Sequence, residues 1–274
     1  MVLNFILVIA ISCLLFSNYC TGKQIGQDVI QSYVQKLDQE DALLKNQFRK
    51  ALGISQEGWD SAIAHAHISC DSDDADFKKE YQNNDEVHSE LRELATNLLK
   101  ERGIDPSKIA LINNSPQSPT SCKSSIGLSI EFFSMHKATH EEKEAVIMHE
   151  IAHIIHKDSI VWRAMLDLVE RAPFYKKPQG LLIMRKWSLF REKRADLIAG
   201  LSGYRRAQAL AHFYKKLLES KQYNVWINVT HPKLQKRIAY LNDLSKAIEN
   251  GENRLSAAFF DQGIEAVKAL LCIT

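Results

Sequence analysis

Apolar positions along the 274 residues recur mostly with helical period. Between Gln24 and Leu52, the residues Ile25, Val29, Ile30, Tyr33, Val34 and Leu37 are spaced for one helix face, and Gly53 follows, so an amphipathic helix or helix pair is expected. The same pattern recurs from Asp85 to Arg102 before Gly103, from Ile160 to Arg171, from Leu181 to Leu201, from Arg205 to Ser220 and from Arg254 to Leu271. Another helix is expected from Pro232, which suits a first helical turn, to the neighbourhood of Asn250. Strands are expected at Lys108–Asn113 and at Ser124–Phe133, where Ile126, Leu128 and Ile130 alternate. The second reads as an edge strand, open to an extended peptide that would add to the sheet. Cys70–Asp76 (CDSDDAD) reads as a solvated loop, without the glycine a calcium loop needs at its sixth position. Pro173–Gly180 reads as a break and a candidate lid, and residues 221–230 as an extended linker. The expected fold class is α+β, mostly helical with a small β-sheet.

One stretch breaks the amphipathic rule. From Ala145 to Ile155 every residue is apolar except His149, Glu150 and His153, so this helix belongs in a core. Thr139 followed by Glu142 predicts a capping box at its start. Buried polar groups cost roughly 2–7 kcal/mol each when nothing satisfies them, and a metal ion would satisfy these. His149 and His153 are one turn apart on one face, with Glu150 beside them as a candidate base, which is the H-E-x-x-H zinc-hydrolase pattern. Two ordinary core histidines are the competing reading.

Composition narrows the class only a little. A net charge of +2 and no strongly basic region give no reason to expect a nucleic-acid partner, and 25% charged with 45% hydrophobic residues is globular usage. Residues 1–22 carry no charged side chain and include an apolar run from Phe5 to Phe16, which predicts a signal peptide, export to a periplasm or secretion, and cleavage near Gly22. An uncleaved anchor is the alternative, and the only membrane contact expected is through this segment. The remaining divisions are a helical extension over 23–84, a catalytic domain over 85–250 and a C-terminal helix over 251–274. The five cysteines include no C-x-x-C, which leaves one disulfide plus a free thiol as an option for the three outside the leader.

A catalytic zinc needs a third protein ligand. His156 and Ser159 stand where a metzincin would have glycine and histidine, so that class is excluded, and His156 is too far along the helix to share the ion. Glu192 and Asp196 are one turn apart on a later helix. Read alone, they fit either a ligand plus an orienting carboxylate for His149, or a surface pair balanced by Arg191, Lys193 and Arg194.

Together, His149-Glu150-Ile151-Ala152-His153, Glu192-Lys193-Arg194-Ala195-Asp196 and Thr230-His231-Pro232 with Arg237 resemble the M48 zinc metallopeptidases, gluzincins that include HtpX-like and Ste24-like proteases. The resemblance covers about residues 85–245. It implies a zincin-like protease domain with one Zn2+ held by His149, His153 and Glu192, and with Glu150 as general base. It also implies Asp196 behind a zinc histidine, His231 near the substrate oxyanion, and Arg237 supporting His231. Its substrate would be a protein or peptide, such as an unfolded chain. The sequence lacks the Asn-Ala-Phe-like segment often found before the zinc helix and the membrane spans of HtpX-like members, which places it nearer the compact exported members. A zinc-binding chaperone or assembly factor built on the same fold is the competing function.

Overall fold

The computed structural model describes residues 27–80, 87–113, 119–202, 204–220 and 231–249. The expected leader, the 221–230 linker and the Arg254–Leu271 helix lie outside the described residues. In chain order the elements are α1 (Gln27–Leu52), α2 (Gln56–Glu80), α3 (Ser89–Glu101), a 3-10 turn (Pro106–Lys108), β1 (Ala110–Asn113), β2 (Thr120–Ser121) and β3 (Ser125–Leu128). They continue with α4 (Ile130–Met135), α5 (His140–Ile155), α6 (Asp158–Arg171), α7 (Lys177–Leu201), α8 (Tyr204–Glu219) and α9 (Leu234–Glu249). The protein is mostly helical with one small sheet, the α+β class expected.

α1 is a single helix rather than a pair. Gly53, at φ 71°, ends it: its N–H donates to Lys50 O at 3.1 Å and the Ile54 N–H to Arg49 O at 2.9 Å, a left-handed close that only glycine makes cheaply. Tyr33, Leu37, Leu44, Phe48 and Leu52 are buried on its inner face, and their core continues through Val161, Met165 and Trp187 to Leu244. A second core joins α3, β3, α5 and α8 through Leu91, Ile126, Ile147 and Phe213. The helical extension is therefore packed into the main body.

Five expectations about local structure are corrected. Cys70–Asp76 is helical, the last part of α2, because Ala66 and Cys70 are buried against Ile160 and Ala164 of α6 and that packing outweighs the weak helix propensity of Asp and Ser. The expected Ser124–Phe133 strand stops at Leu128, because the Ser129 hydroxyl accepts the Phe132 N–H at 3.0 Å and caps α4. β3 is also not an edge: the order is β1-β3-β2, with β1 parallel and β2 antiparallel to it, so the short β2 is the edge on that side. Gly180 lies inside α7 rather than in a break, and Pro232 lies before α9, whose first turn is closed by Arg237 N–H donating to Lys233 O at 3.1 Å. Cys70 and Cys122 are both free thiols.

Gly180 marks a close approach of α7 to its neighbours. A Cβ there would meet Leu52 Cδ2 at 2.8 Å and Val169 Cγ2 at 3.1 Å. Gly180→Val should therefore destabilise the protein by about 1–3 kcal/mol, the usual cost of overpacking, read as a lower denaturant midpoint at unchanged slope.

Candidate metal centre

The site is built first by fixing α5. Thr139 Oγ1 accepts the Glu142 N–H at 3.3 Å and Glu142 Oε2 accepts the Thr139 N–H at 2.8 Å, so the predicted capping box is present. Lys216 donates to the same Glu142 oxygen at 2.7 Å, pinning the start of α5 to α8. From there the helix runs through the core with His149 and Glu150 buried. Lys157, at φ 55°, turns the chain sharply and starts α6 at Asp158. That turn brings Asp158 back onto the helix it follows: its Oδ2 lies 2.7 Å from His153 Nδ1.

α7 supplies the facing carboxylates. His149 Nε2 lies 3.1 Å from His153 Nε2 and 3.4 Å from Glu192 Oε2, and His153 Nε2 lies 3.6 Å from Glu192 Oε1. Tetrahedral zinc with bonds of about 2.0–2.2 Å holds neighbouring ligand atoms about 3.4 Å apart, so the spacing of these three side chains suits the ion. Glu192 is almost fully buried and its Oε2 has no hydrogen-bond partner, as expected of an oxygen aimed at a cation. Glu192 and Asp196 are thus inside the protein and not a surface pair.

Each imidazole has a carboxylate behind it, and each carboxylate has a buried arginine. Asp196 Oδ1 lies 2.9 Å from His149 Nδ1, close enough for an ion pair though not aligned as a hydrogen bond. Asp196 also accepts from Arg237 Nε at 2.8 Å, from Arg237 Nη2 at 2.6 Å and from the Tyr214 hydroxyl at 2.7 Å, with the Tyr240 hydroxyl as a further donor. Asp158 is paired with Arg194. Arg194 Nη1 reaches Asp41 Oδ1 on α1 at 3.1 Å, and Trp187 Nε1 donates to that same oxygen at 2.8 Å. A chain of contacts therefore runs from α1 through Arg194 and Asp158 to His153.

Electrostatics follow from this arrangement. Burial alone would lower the pKa of His149, but Asp196 and Glu192 hold it up at about 9. Burial would raise Glu192, yet the positive charges of His153, His149 and His231 around it hold it well below the usual carboxylate range. Asp158 and Asp196 are held down in the same way, against burial, chiefly by Arg194 and Arg237. His156 is half-buried at the end of α5, where burial and Arg194 push it down to about 3. It takes no part in the cluster of His149, His153 and Glu192.

These groups form the floor of a cleft with Glu150 beside them and Pro119–Cys122, around edge strand β2, along one wall. His231 stands on the cleft with Nε2 3.2 Å from Glu192 Oε2. The Arg237 guanidinium grips Asp196 and lies 3.8 Å from Glu192, Asp196 being a fully buried charge that needs a cation. Sequence reasoning missed Asp158, Arg194 as a buried anchor, Asp41, Tyr214 and Tyr240. Only Tyr240, three after Arg237 on one helix, carried a local signal, since helical neighbours share a face, whereas Asp158 meets His153 only through the turn at Lys157.

Residues 81–182 match the sequence profile of Peptidase family M48. Glu192, Asp196, His231 and Arg237 lie beyond the matched span. No curated protein and no solved structure matches the chain.

Arg237→Met should cost about 3–5 kcal/mol of folding stability, because it leaves Asp196 buried without its cation; urea denaturation measures it. The metal-free protein should also show two pH limbs. The depressed carboxylates stabilise fully above their unfolded pKa values near 4, and that contribution is lost as pH falls towards the folded values. The raised His149 stabilises fully below about pH 6.5, and its contribution is lost as pH rises through about 9. Thermal melts across pH, with and without zinc, should show that the added cation abolishes the alkaline limb.

Proposed function

Taking this chain as an M48 family metallopeptidase, on the match across residues 81–182, we propose that it is a zinc-dependent endopeptidase acting on peptide bonds of protein or peptide substrates. The observation that carries the reading is the triangle of His149, His153 and Glu192, with ligand atoms 3.1, 3.4 and 3.6 Å apart at the bottom of an open cleft. Three protein ligands with an accessible fourth direction are the mark of a catalytic zinc rather than a structural one, which is closed by four.

When bound there, zinc supplies Lewis acidity: it lowers the pKa of water to about 7 and polarises a carbonyl oxygen. The chain's own residues do the rest. Asp158 and Asp196 occupy the Nδ1 side of His153 and His149, leaving both Nε2 lone pairs directed at the ion. Glu150, on the cleft wall next to His149, accepts the proton of the attacking water and delivers it to the leaving amine. His231, partly exposed beside Glu192, donates to the carbonyl oxygen as negative charge builds there. An extended substrate segment would lie along the open side of β2, whose Thr120 and Ser121 face the cleft, so that backbone hydrogen bonds would hold the scissile bond beside Glu150 and His231.

Two variants test the reading. Glu150→Gln should keep one zinc per chain and lose about 10²–10⁴-fold in hydrolysis of an unstructured protein substrate; unchanged turnover would remove Glu150 as the base. Glu192→Ala should lose the metal on dialysis while the wild type retains it, by elemental analysis. Full retention would take Glu192 out of the ligand set.

A further inference from the structure

A surface of unusual composition lies at the turn between α6 and α7. Arg171 to Phe190 contains Arg171, Lys176, Lys177, Arg185 and Lys186 and no Asp or Glu, in a chain whose net charge is only +2. The same stretch exposes Phe174 at 88%, Tyr175 at 77%, Leu181 at 50% and Leu182 at 44%. The other exposed large apolar side chains among the described residues are scattered along the chain, from Val34 to Leu218. Isolated exposed leucines are ordinary, but four large apolar groups within nine residues are not.

The turn holds these groups out. Lys176 N–H donates to Pro173 O at 2.9 Å, Lys176 Nζ to Leu52 O at 3.1 Å and Lys177 Nζ to Glu170 O at 2.8 Å, so its two lysines staple it to the end of α1 and to α6. Lys176 Nζ also lies 6.0 Å from the centre of the Tyr175 ring. On the first turns of α7, Gly180, Ile183, Met184 and Trp187 face the core, while Leu181, Leu182 and Arg185 face outward. The start of α7 is therefore apolar on both sides, and only one side is covered by the protein.

We propose that this turn docks the protein peripherally on an anionic phospholipid surface, Phe174, Tyr175, Leu181 and Leu182 entering the headgroup–acyl boundary and the surrounding Lys and Arg side chains meeting lipid phosphates. Charge complementarity supports this: aromatic and aliphatic groups within a stretch of five cations, bordered by the single carboxylate of Glu170, match an apolar interior beneath a negatively charged face. No described helix is long and apolar enough to cross a membrane, so the contact is interfacial. It is separate from any contact made through residues 1–22. Glu192 lies on the same helix, twelve residues from Gly180, which puts the metal cluster about 18 Å along α7 from the surface at a rise of about 1.5 Å per residue.

Flotation of the full chain with vesicles tests this, using phosphatidylcholine alone and phosphatidylcholine mixed with phosphatidylglycerol. Binding should be stronger to the anionic vesicles and weaken with added salt. Arg171→Gln with Arg185→Gln should reduce binding at least about tenfold, since each cation near such a surface is worth roughly fivefold. Phe174→Ser with Tyr175→Ser should reduce it comparably, and neither pair should lower the melting temperature, because the replaced side chains lie on the surface. Equal binding to both vesicle types, or binding indifferent to both double variants, would assign the contact to the N-terminal apolar run and overturn the proposal. Absence of binding to anionic vesicles would also overturn it, as would a shift from dimer to monomer in the Phe174→Ser/Tyr175→Ser variant, which would make the patch a contact between copies.

Discussion

Two buried Asp–Arg pairs aimed at two imidazoles are the constraint on which the site depends. A histidine can bind a metal through either ring nitrogen, and its ring can rotate. Asp196 behind His149 and Asp158 behind His153 remove both freedoms, leaving the two Nε2 atoms 3.1 Å apart on the cleft side. The carboxylates would be costly in the core without Arg237 and Arg194, which are themselves almost fully buried. The helices around the site can be understood as carriers of these charges: α5 brings the imidazoles, α6 brings Asp158, α7 brings Glu192, Arg194 and Asp196, and α9 brings Arg237 and Tyr240.

Much of this was legible in the sequence because helical spacing is local. His149 and His153 one turn apart, Glu192 and Asp196 one turn apart, and a capping residue three before its partner are all facts about a single helix. What is not local was misread or unseen. That Arg237 grips Asp196 depends on which helix faces which, and no periodicity carries that information. The sheet shows the same limit: alternation located β3, but only the pairing with both β1 and β2 reveals that it is interior and that two residues of β2 form the edge beside the cleft. Cys70–Asp76 looked like a loop by composition and is helix by packing.

The cluster of His149, His153 and Glu192 also lies between two cores rather than on one. The α3–β3–α5–α8 core supports the imidazoles, whereas the core that includes α1, α6 and α7 supports Asp158 and Glu192 from the other side. Relative movement of the two cores would change the ligand spacing, so the ion pairs that cross between them fix the geometry as well as satisfying buried charge. Trp187, stacked on Trp162 beneath Arg191 at the cleft wall, adds an apolar brace on the α7 side.

The contact between Asp41 and Arg194 reaches farthest from the chemistry. Asp41 belongs to a helix that precedes the span matched to the peptidase family, and Arg194 follows that span, yet the two meet behind His153. In the history of such chains the two positions are not free to drift separately: loss of the Asp41 carboxylate would leave Arg194 with Asp158 alone, and loss of the guanidinium would leave Asp158 without its cation. Related sequences should keep both or exchange both, so that a change at residue 41 and a change at residue 194 are inherited as one event.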